Sequence, residues 1–242
     1  MKRIINHLKE NWIRHGFETL VVTIGIMGAF SLNTWNEVQQ SKKLEKSTID
    51  ALITEFESNK ISLKNCLDEL KENRLFADSI RMNLGPETPT FTIDQMTNWF
   101  GVIGETTRCE ISTNILEDVR GSGNLKTISR AEIRRSIGNW TSALQQLQRE
   151  EDDWAREFSN EFIPYTNKWI SWDDVDKIIN VDDPRFFNSK FELDPRIMLQ
   201  EFEFSNVMAI HYWRMRRVEE RAEELLDRTE RVLELMQKEQ KE

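Results

Sequence analysis

The sequence predicts an all-α protein with one membrane-spanning helix, and three observations support this class. The chain has only nine Gly and five Pro in 242 residues, and 31% of its residues are charged, a composition typical of helices. Apolar residues recur at intervals of seven along two long segments. Between Glu18 and Glu37, 18 consecutive residues carry no charge, and a helix of that length covers about 27 Å. This is close to the thickness of the hydrocarbon core of a bilayer.

We predict a transmembrane helix over residues 17–36. The alternative is a cleaved signal peptide, because basic residues precede a short apolar run and Ala29-Phe30-Ser31 has the small-x-small pattern of a cleavage site. However, Glu10 and Glu18 lie before the apolar run, and no turn residue follows Ser31. These features favour an anchor that stays in the protein.

The charges that flank the span predict its orientation. The basic residues before it are Lys2, Arg3, Lys9 and Arg14, and those after it are Lys42, Lys43 and Lys46. The excess before the span predicts a cytoplasmic N-terminus and a periplasmic domain over residues 37–242, in a bacterial inner membrane. We expect residues 1–16 to form a short amphipathic helix at the cytoplasmic interface, the alternative being a simple flank of the span.

The net charge bears on the class of partner. The chain carries −9, of which residues 1–18 contribute +2 and the remainder −11. An acidic domain argues against nucleic acid, which requires a basic surface to displace counterions. Beyond the N-terminal segment, no basic patch is visible that offers a second surface for lipid. We therefore expect membrane lipid as one partner and a second copy or another membrane protein as the other.

The segment after the span predicts a long stalk helix over residues 37–84. It contains no Gly and no Pro, and Asn59 and Lys60 interrupt an otherwise apolar seam. The seam residues at intervals of seven are Ile49, Phe56, Leu63, Leu70, Ala77 and Leu84. Gly85 followed by Pro86 predicts the end of this helix.

The remaining chain predicts a helical insertion and a C-terminal helix. Within the insertion, residues 85–202, we predict a short helix with Asp94 as N-cap and a longer helix from Ser129 to about Phe162, before Pro164. Ser129 and Glu132 have the spacing of a capping box for the longer helix. Residues 203–240 carry apolar residues at alternating steps of four and three, which predicts a helix antiparallel to the stalk.

Cys66 and Cys109 are the only cysteines. In an oxidising compartment an even count is consistent with one disulfide. The alternative is two unpaired thiols packed as small apolar residues, because a separation of 43 residues does not fix their distance.

One side of the predicted span is suited to packing against another helix. Glu18 lies within its first turn, where a carboxylate is costly unless it is paired or reaches the interface. Gly25 and Ala29 form a small-xxx-small pair that allows close helix approach. The predicted packing face consists of Glu18, Val22, Gly25, Ala29, Leu32, Asn33 and Asn36. The alternative is that Glu18 pairs with Arg14 and that both asparagines lie in the outer interface.

The membrane segment resembles a known family. Glu18, Val22-Thr23-Ile24-Gly25-Ile26 and Asn33-Thr34-Trp35-Asn36-Glu37, with Gly121-Ser122-Gly123-Asn124-Leu125 before a helix, are similar to an uncharacterised family of bacterial single-span membrane proteins. This family is frequent in Bacteroidota and marine bacteria. The resemblance implies an N-terminal anchor and a helical domain but no activity.

No motif predicts a catalytic, cofactor or metal site. The acidic residues at 173–183 lack the Gly and the bidentate Glu of a calcium loop, and Gly121-Ser122-Gly123 lacks the Lys of a phosphate loop. The three histidines are far apart, and His211 falls on the apolar seam of the last helix. We interpret the tryptophans at positions 99–213 as core residues, the alternative being a ligand pocket.

These observations lead to three hypotheses about function. The first is a structural or interaction protein that forms oligomers or docks on a larger membrane complex. The second is an extracytoplasmic sensor whose helical domain binds a small ligand and acts through a partner. The third is an oligomeric pore with Glu18 near its mouth. An enzyme is not expected, because no polar residues converge in a recognisable arrangement.

Overall fold

The first helix, α1, runs unbroken over Lys2–Arg81 and joins the apolar segment to the folded domain. The computed structural model describes the backbone of residues 2–241 and the side chains of residues 16–241. Within that range every regular element is helical, so the predicted all-α class is confirmed. Helix α1 continues without a break through Gly16. The segment that was predicted as a separate interfacial helix is therefore part of the same helix as the span. The position of this segment relative to a membrane stays a prediction.

Six further α-helices follow α1. They are α2 (Ile93–Ile103), α3 (Asn114–Gly121), α4 (Ala131–Glu157), α5 (Ile163–Thr166), α6 (Trp172–Ile179) and α7 (Phe202–Glu239). Two 3₁₀ turns, Asn124–Thr127 and Pro195–Gln200, and one π-helical turn, Phe158–Phe162, complete the described elements.

The second half of α1 forms a three-helix bundle with α4 and α7. Lys60 of α1 pairs with Glu230 of α7 at 3.0 Å, and Arg74 of α1 pairs with Glu219 of α7 at 3.0 Å. Residue numbers therefore rise along α1 in the direction in which they fall along α7. The antiparallel arrangement of α1 and α7 is therefore as predicted. Helix α4 lies antiparallel to α7 as well, and its far end contacts α7 near His211.

The predicted seam forms the core of this bundle. Ile49, Phe56, Leu63, Leu70 and Ala77 are all buried, each at most 2% exposed. Burying large apolar side chains in this way supplies most of the stabilisation of a helical bundle.

A buried hydrogen bond crosses the core where α1, α4 and α7 meet. The ring of Phe56 packs on that of Trp140, with the centroids 4.7 Å apart. The indole N–H of Trp140 donates to the hydroxyl of Thr229 at 2.8 Å, so the polar atom of this fully buried side chain is satisfied.

Asn59, which interrupts the apolar seam, holds the irregular segment between α2 and α3 (residues 106–113) against α1. Its side-chain amide donates to the carbonyl of Ser112 at 2.8 Å, and its oxygen accepts the N–H of Ser112 at 2.9 Å. Glu55 caps α3 from the same side of α1, because its two oxygens accept the N–H groups of Ile115 and Leu116, each at 2.9 Å. Asn59 and Glu55 are therefore two points at which the insertion docks on α1.

Two predicted helix starts are wrong. Helix α2 is capped by Thr92, whose hydroxyl accepts the N–H of Gln95 while the Gln95 side chain accepts the N–H of Thr92, so Asp94 lies inside the helix. Helix α4 begins at Ala131 without a side-chain cap. The hydroxyl of Ser129 instead donates to Glu45 of α1 at 2.7 Å, because the tertiary contact replaces the predicted capping box.

Pro164 does not end the helix that contains α4, contrary to the prediction. The backbone passes through the π-helical turn Phe158–Phe162 into α5, with Pro164 at the second position of α5. The N–H of Ile163 bonds to the carbonyl of Phe158, five residues back. The wider π turn lies directly before the proline, which has no N–H to donate.

Candidate functional site

The apolar segment of α1 lies outside the folded domain. Every side chain from Gly16 to Leu44 is exposed, and beyond Leu44 the first buried side chains are Thr48 and Ile49. Among the described residues α1 is the one helix long and apolar enough to cross a membrane, and none of its apolar window is buried. The folded domain does not cover its large apolar side chains, and an exposed apolar surface of this size is typical of a membrane or protein interaction site.

All seven residues of the packing face lie on the uninterrupted helix α1 and are exposed. Apart from its chain neighbours and the adjacent backbone of α1, no atom lies within 4 Å of the position that a Cβ would take at Gly25, so the space beside this glycine is open. The side-chain amide of Asn33 donates to Glu37 of the same helix at 2.7 Å. Whether Glu18, Asn33 and Asn36 bond to another helix stays a prediction.

A second side of the span was missed by sequence reasoning. Gly16, Thr19 and Thr23 line a shallow depression on α1, roughly opposite Gly25 and Ala29. The hydroxyl of Thr23 donates to the carbonyl of Thr19 at 2.8 Å, which satisfies it within the helix. These three small residues are spaced three and four positions apart, and that spacing was the signal that could have revealed this side.

The structure joins Cys66 of α1 to Cys109 of the segment between α2 and α3 in a disulfide, with Cα atoms 5.4 Å apart. Of the two alternatives for these cysteines, the structure has the disulfide. The N–H of Cys109 donates to Glu151 of α4 at 2.9 Å, so three elements meet at this point. Burial raises the pKa of Glu151, against the opposing effects of this hydrogen bond and of the charge on Arg108.

A buried polar cluster lies at the distal end of the bundle, where α7 meets the π-helical turn. Nδ1 of His211 is 3.0 Å from Oε2 of Glu157 and 3.4 Å from Nε1 of Trp154. His211 is fully buried, and the ring of Phe162 stacks on it with the centroids 4.2 Å apart. Seam burial of His211 was predicted from the sequence, but its pairing with Glu157 was not.

The donor and acceptor groups of this cluster limit the hydrogen bonds that His211 can form. Trp154 can only donate through Nε1, whereas an ionised Glu157 can only accept. Nδ1 of His211 therefore either donates a hydrogen bond to the Glu157 carboxylate or accepts one from Trp154. Oε1 of Glu157 and Nε2 of His211 have no hydrogen-bond partner among the described residues.

The other candidate residues have local roles. Asp183 pairs with Arg185, which lowers the pKa of the aspartate, and Asp174 accepts the N–H of Ser189 at 2.7 Å. The described residues contain no group of three or more His, Cys, Asp or Glu side chains arranged to hold a metal ion. Trp154 is fully buried in the core, whereas Trp213 is 53% exposed. The side chains of His7 and His15 lie outside the described residues.

The fold and these sites define a class: an all-helical protein in which one long, exposed apolar helix continues into a disulfide-bonded bundle. No protein-family model matches the chain, and comparison with curated proteins and with solved structures gives no match either.

Proposed function

We propose that this chain is a single-span protein of the bacterial inner membrane that acts by assembly, either with copies of itself or on a larger membrane complex. The observation that carries this proposal is the complete exposure of residues 16–44, which leaves an 18-residue apolar window uncovered by the folded domain. A window of this length matches the hydrocarbon core of a bilayer.

Two observations support a cytoplasmic N-terminus and a periplasmic bundle. Lys2, Arg3, Lys9 and Arg14 precede the span, a small excess over the three lysines within ten residues after it, and the positive-inside rule assigns the side with more basic residues to the cytoplasm. The disulfide between Cys66 and Cys109 lies on the other side of the span. Disulfides persist in oxidising compartments such as the periplasm and are rare in the cytosol.

The packing face supports assembly through the span. Gly25 and Ala29 lie one turn apart on an exposed side of α1, and their small size allows another helix to approach closely. In lipid, such close approach is a main source of helix association, because the hydrophobic effect no longer favours one apolar surface over another.

Membrane insertion is tested first. Membranes that contain the full chain are washed with alkaline buffer, and the N-terminus of the retained protein is sequenced. The proposal predicts an uncleaved chain in the membrane pellet. Recovery of a soluble chain that begins at Leu32, after the Ala29-Phe30-Ser31 site, would show a cleaved signal peptide instead.

Assembly is tested by the mass of the detergent-solubilised protein and of three variants. Gly25→Leu and Ala29→Leu place bulk on the packing face, and Ser31→Leu places similar bulk on the opposite side of the same helix. We expect an oligomer for the wild type and for Ser31→Leu, and dissociation for the first two variants. If all four proteins are monomeric, the chain does not assemble with itself, and crosslinking from Ala29 in intact membranes then tests docking on another membrane protein.

A further inference from the structure

The end of the bundle nearest the span collects lysines from three parts of the chain. We define the base of the bundle as residues 37–46, 121–130 and 236–241. These segments carry seven Lys and Arg residues and three Glu residues, a net charge of +4 in a chain whose total is −9. No continuous basic run reveals this surface in the sequence, because the fold assembles it.

Several contacts bring the three segments to the same level. The N–H of Ser129 donates to Glu45 at 2.6 Å, and Arg130 pairs with Glu239 at 3.0 Å. A cleft of about 400 Å³ is lined by residues of all three segments, including Lys42 and Lys46. The C-terminal end of α7 therefore lies beside the start of α4 and the part of α1 that leaves the span.

The lysines of the base differ from those farther along the bundle. Lys60 and Lys71 are in contact with glutamates of α7. The base lysines are exposed, and among the described residues they form no ion pair. They are Lys42, Lys43, Lys46, Lys126, Lys238 and Lys241. Their charge is therefore available to an external partner.

The continuity of α1 fixes how far these charges lie from a bilayer that contains residues 17–36. Lys42 follows Asn36 by six residues and Lys46 follows it by ten, which is about 9 Å and about 15 Å along the helix. The headgroup layer extends roughly 5–8 Å beyond the hydrocarbon core. Among the base lysines, those of α1 thus lie within about one Debye length of the headgroups, where their attraction to anionic lipid is only partly screened.

We propose that the base of the bundle binds the phosphodiester headgroups of anionic phospholipids and so fixes the tilt of the bundle against the membrane. This proposal rests on the membrane insertion proposed above. Each basic residue near an anionic surface contributes about 1 kcal/mol, equivalent to about a fivefold change in an equilibrium constant.

The test uses the full chain in nanodiscs of phosphatidylcholine and in nanodiscs of which one third of the lipid is phosphatidylglycerol. Acetylation rates of individual lysines are measured by mass spectrometry. We expect the base lysines to react about fivefold more slowly in the anionic nanodiscs and to recover in about 1 M salt, where the Debye length is about 3 Å. The exposed lysines Lys168 and Lys190 at the other end of the bundle should react equally in both lipids.

A pair of variants checks that charge is responsible. Combined substitution of Lys126→Glu, Lys238→Glu and Lys241→Glu should abolish the protection of the α1 lysines in the anionic nanodiscs. The matched control carries Lys168→Glu, Lys177→Glu and Lys190→Glu and should retain the protection. Equal rates in both lipids, for protein that is fully incorporated in both, overturn the proposal. Failure to incorporate into either nanodisc instead contradicts the proposed membrane insertion.

Discussion

Nδ1 of His211 lies 3.0 Å from Oε2 of Glu157, and both side chains are buried at the distal end of the bundle. The pair joins the end of α4, where the backbone changes from α to π geometry, to the first turns of α7. A buried polar pair of this kind is costly to break, because the remaining partner loses both water and its hydrogen bond.

We therefore expect Glu157→Leu to lower the free energy of unfolding by about 1–3 kcal/mol, since it removes a hydrogen-bond partner of His211 in an apolar site. The double variant Glu157→Leu, His211→Phe should lose less than the sum of the two single variants. Chemical denaturation in detergent, followed by circular dichroism, measures both quantities. Glu161→Gln is the matched control on the same π turn, because Glu161 is exposed. Additive losses in the double variant would show that the two residues are not coupled.

Periodicity predicts helices and seams well because it reflects one face of one element. Ile49, Phe56 and Leu63 follow the heptad spacing and are all buried, and the helical hairpin of α1 and α7 follows from two such seams. Local capping patterns were less reliable. Ser129 has the spacing for a capping box, but the contact with Glu45, a residue 84 positions away, determines its role.

The polar pairings of the core were not predictable as pairs, because their partners are distant in sequence. Asn59 meets Ser112 and His211 meets Glu157, each more than 50 residues away. A partial signal was present: a polar residue in an otherwise apolar seam must be satisfied by some partner. The sequence identifies one member of each pair in this way, and only the fold identifies the other.

The disulfide gives a second prediction. For a closed loop of 43 residues, the loss of unfolded-state entropy corresponds to about 4 kcal/mol of stabilisation. We expect the double substitution Cys66→Ala, Cys109→Ala to lower the free energy of unfolding by about 2–4 kcal/mol, and reduction of the wild type to produce a loss of the same size. Thermal denaturation with and without reductant measures this.

A thiol count provides the control for this prediction. The wild-type protein, denatured without reductant, should react with no maleimide, and after reduction it should react at both cysteines. Modification of both cysteines before reduction would mean that the chain folds without the bond and that the argument for an oxidising compartment fails.

Glu55 gives a third prediction, because it satisfies two backbone donors at the start of α3. Glu55→Ala leaves the N–H groups of Ile115 and Leu116 without their acceptor, which should cost about 1–3 kcal/mol. Amide hydrogen exchange should accelerate at these two residues. Ser58→Ala changes an exposed side chain less than one turn away on α1 and should have no effect. Unchanged exchange in Glu55→Ala would show that the cap does not hold α3 in place.

The fourth prediction concerns pH and Glu151. Burial raises the pKa of Glu151, so the folded state holds this proton more tightly than the unfolded chain. The contribution of this group to stability is therefore fully present below its unfolded pKa and is lost as the pH rises through its folded pKa. Glu151→Gln stays neutral and keeps an oxygen for the N–H of Cys109. Relative to the wild type, this variant should gain on the order of 1 kcal/mol as the pH is raised from about 4 to about 7.

Glu224 serves as a control for Glu151, because its pKa is shifted in the opposite direction. Hydrogen bonds from Arg228 and Arg221 lower the pKa of Glu224, so its contribution is present above the unfolded pKa and is lost as the pH falls through the folded pKa. Because Glu224 is partly exposed, Glu224→Gln should lose at most about 1 kcal/mol at neutral pH, and this loss should vanish on acidification. Denaturation curves for both variants across this pH range measure the two trends. If the two variants shift in the same direction with pH, the burial of Glu151 does not control its ionisation.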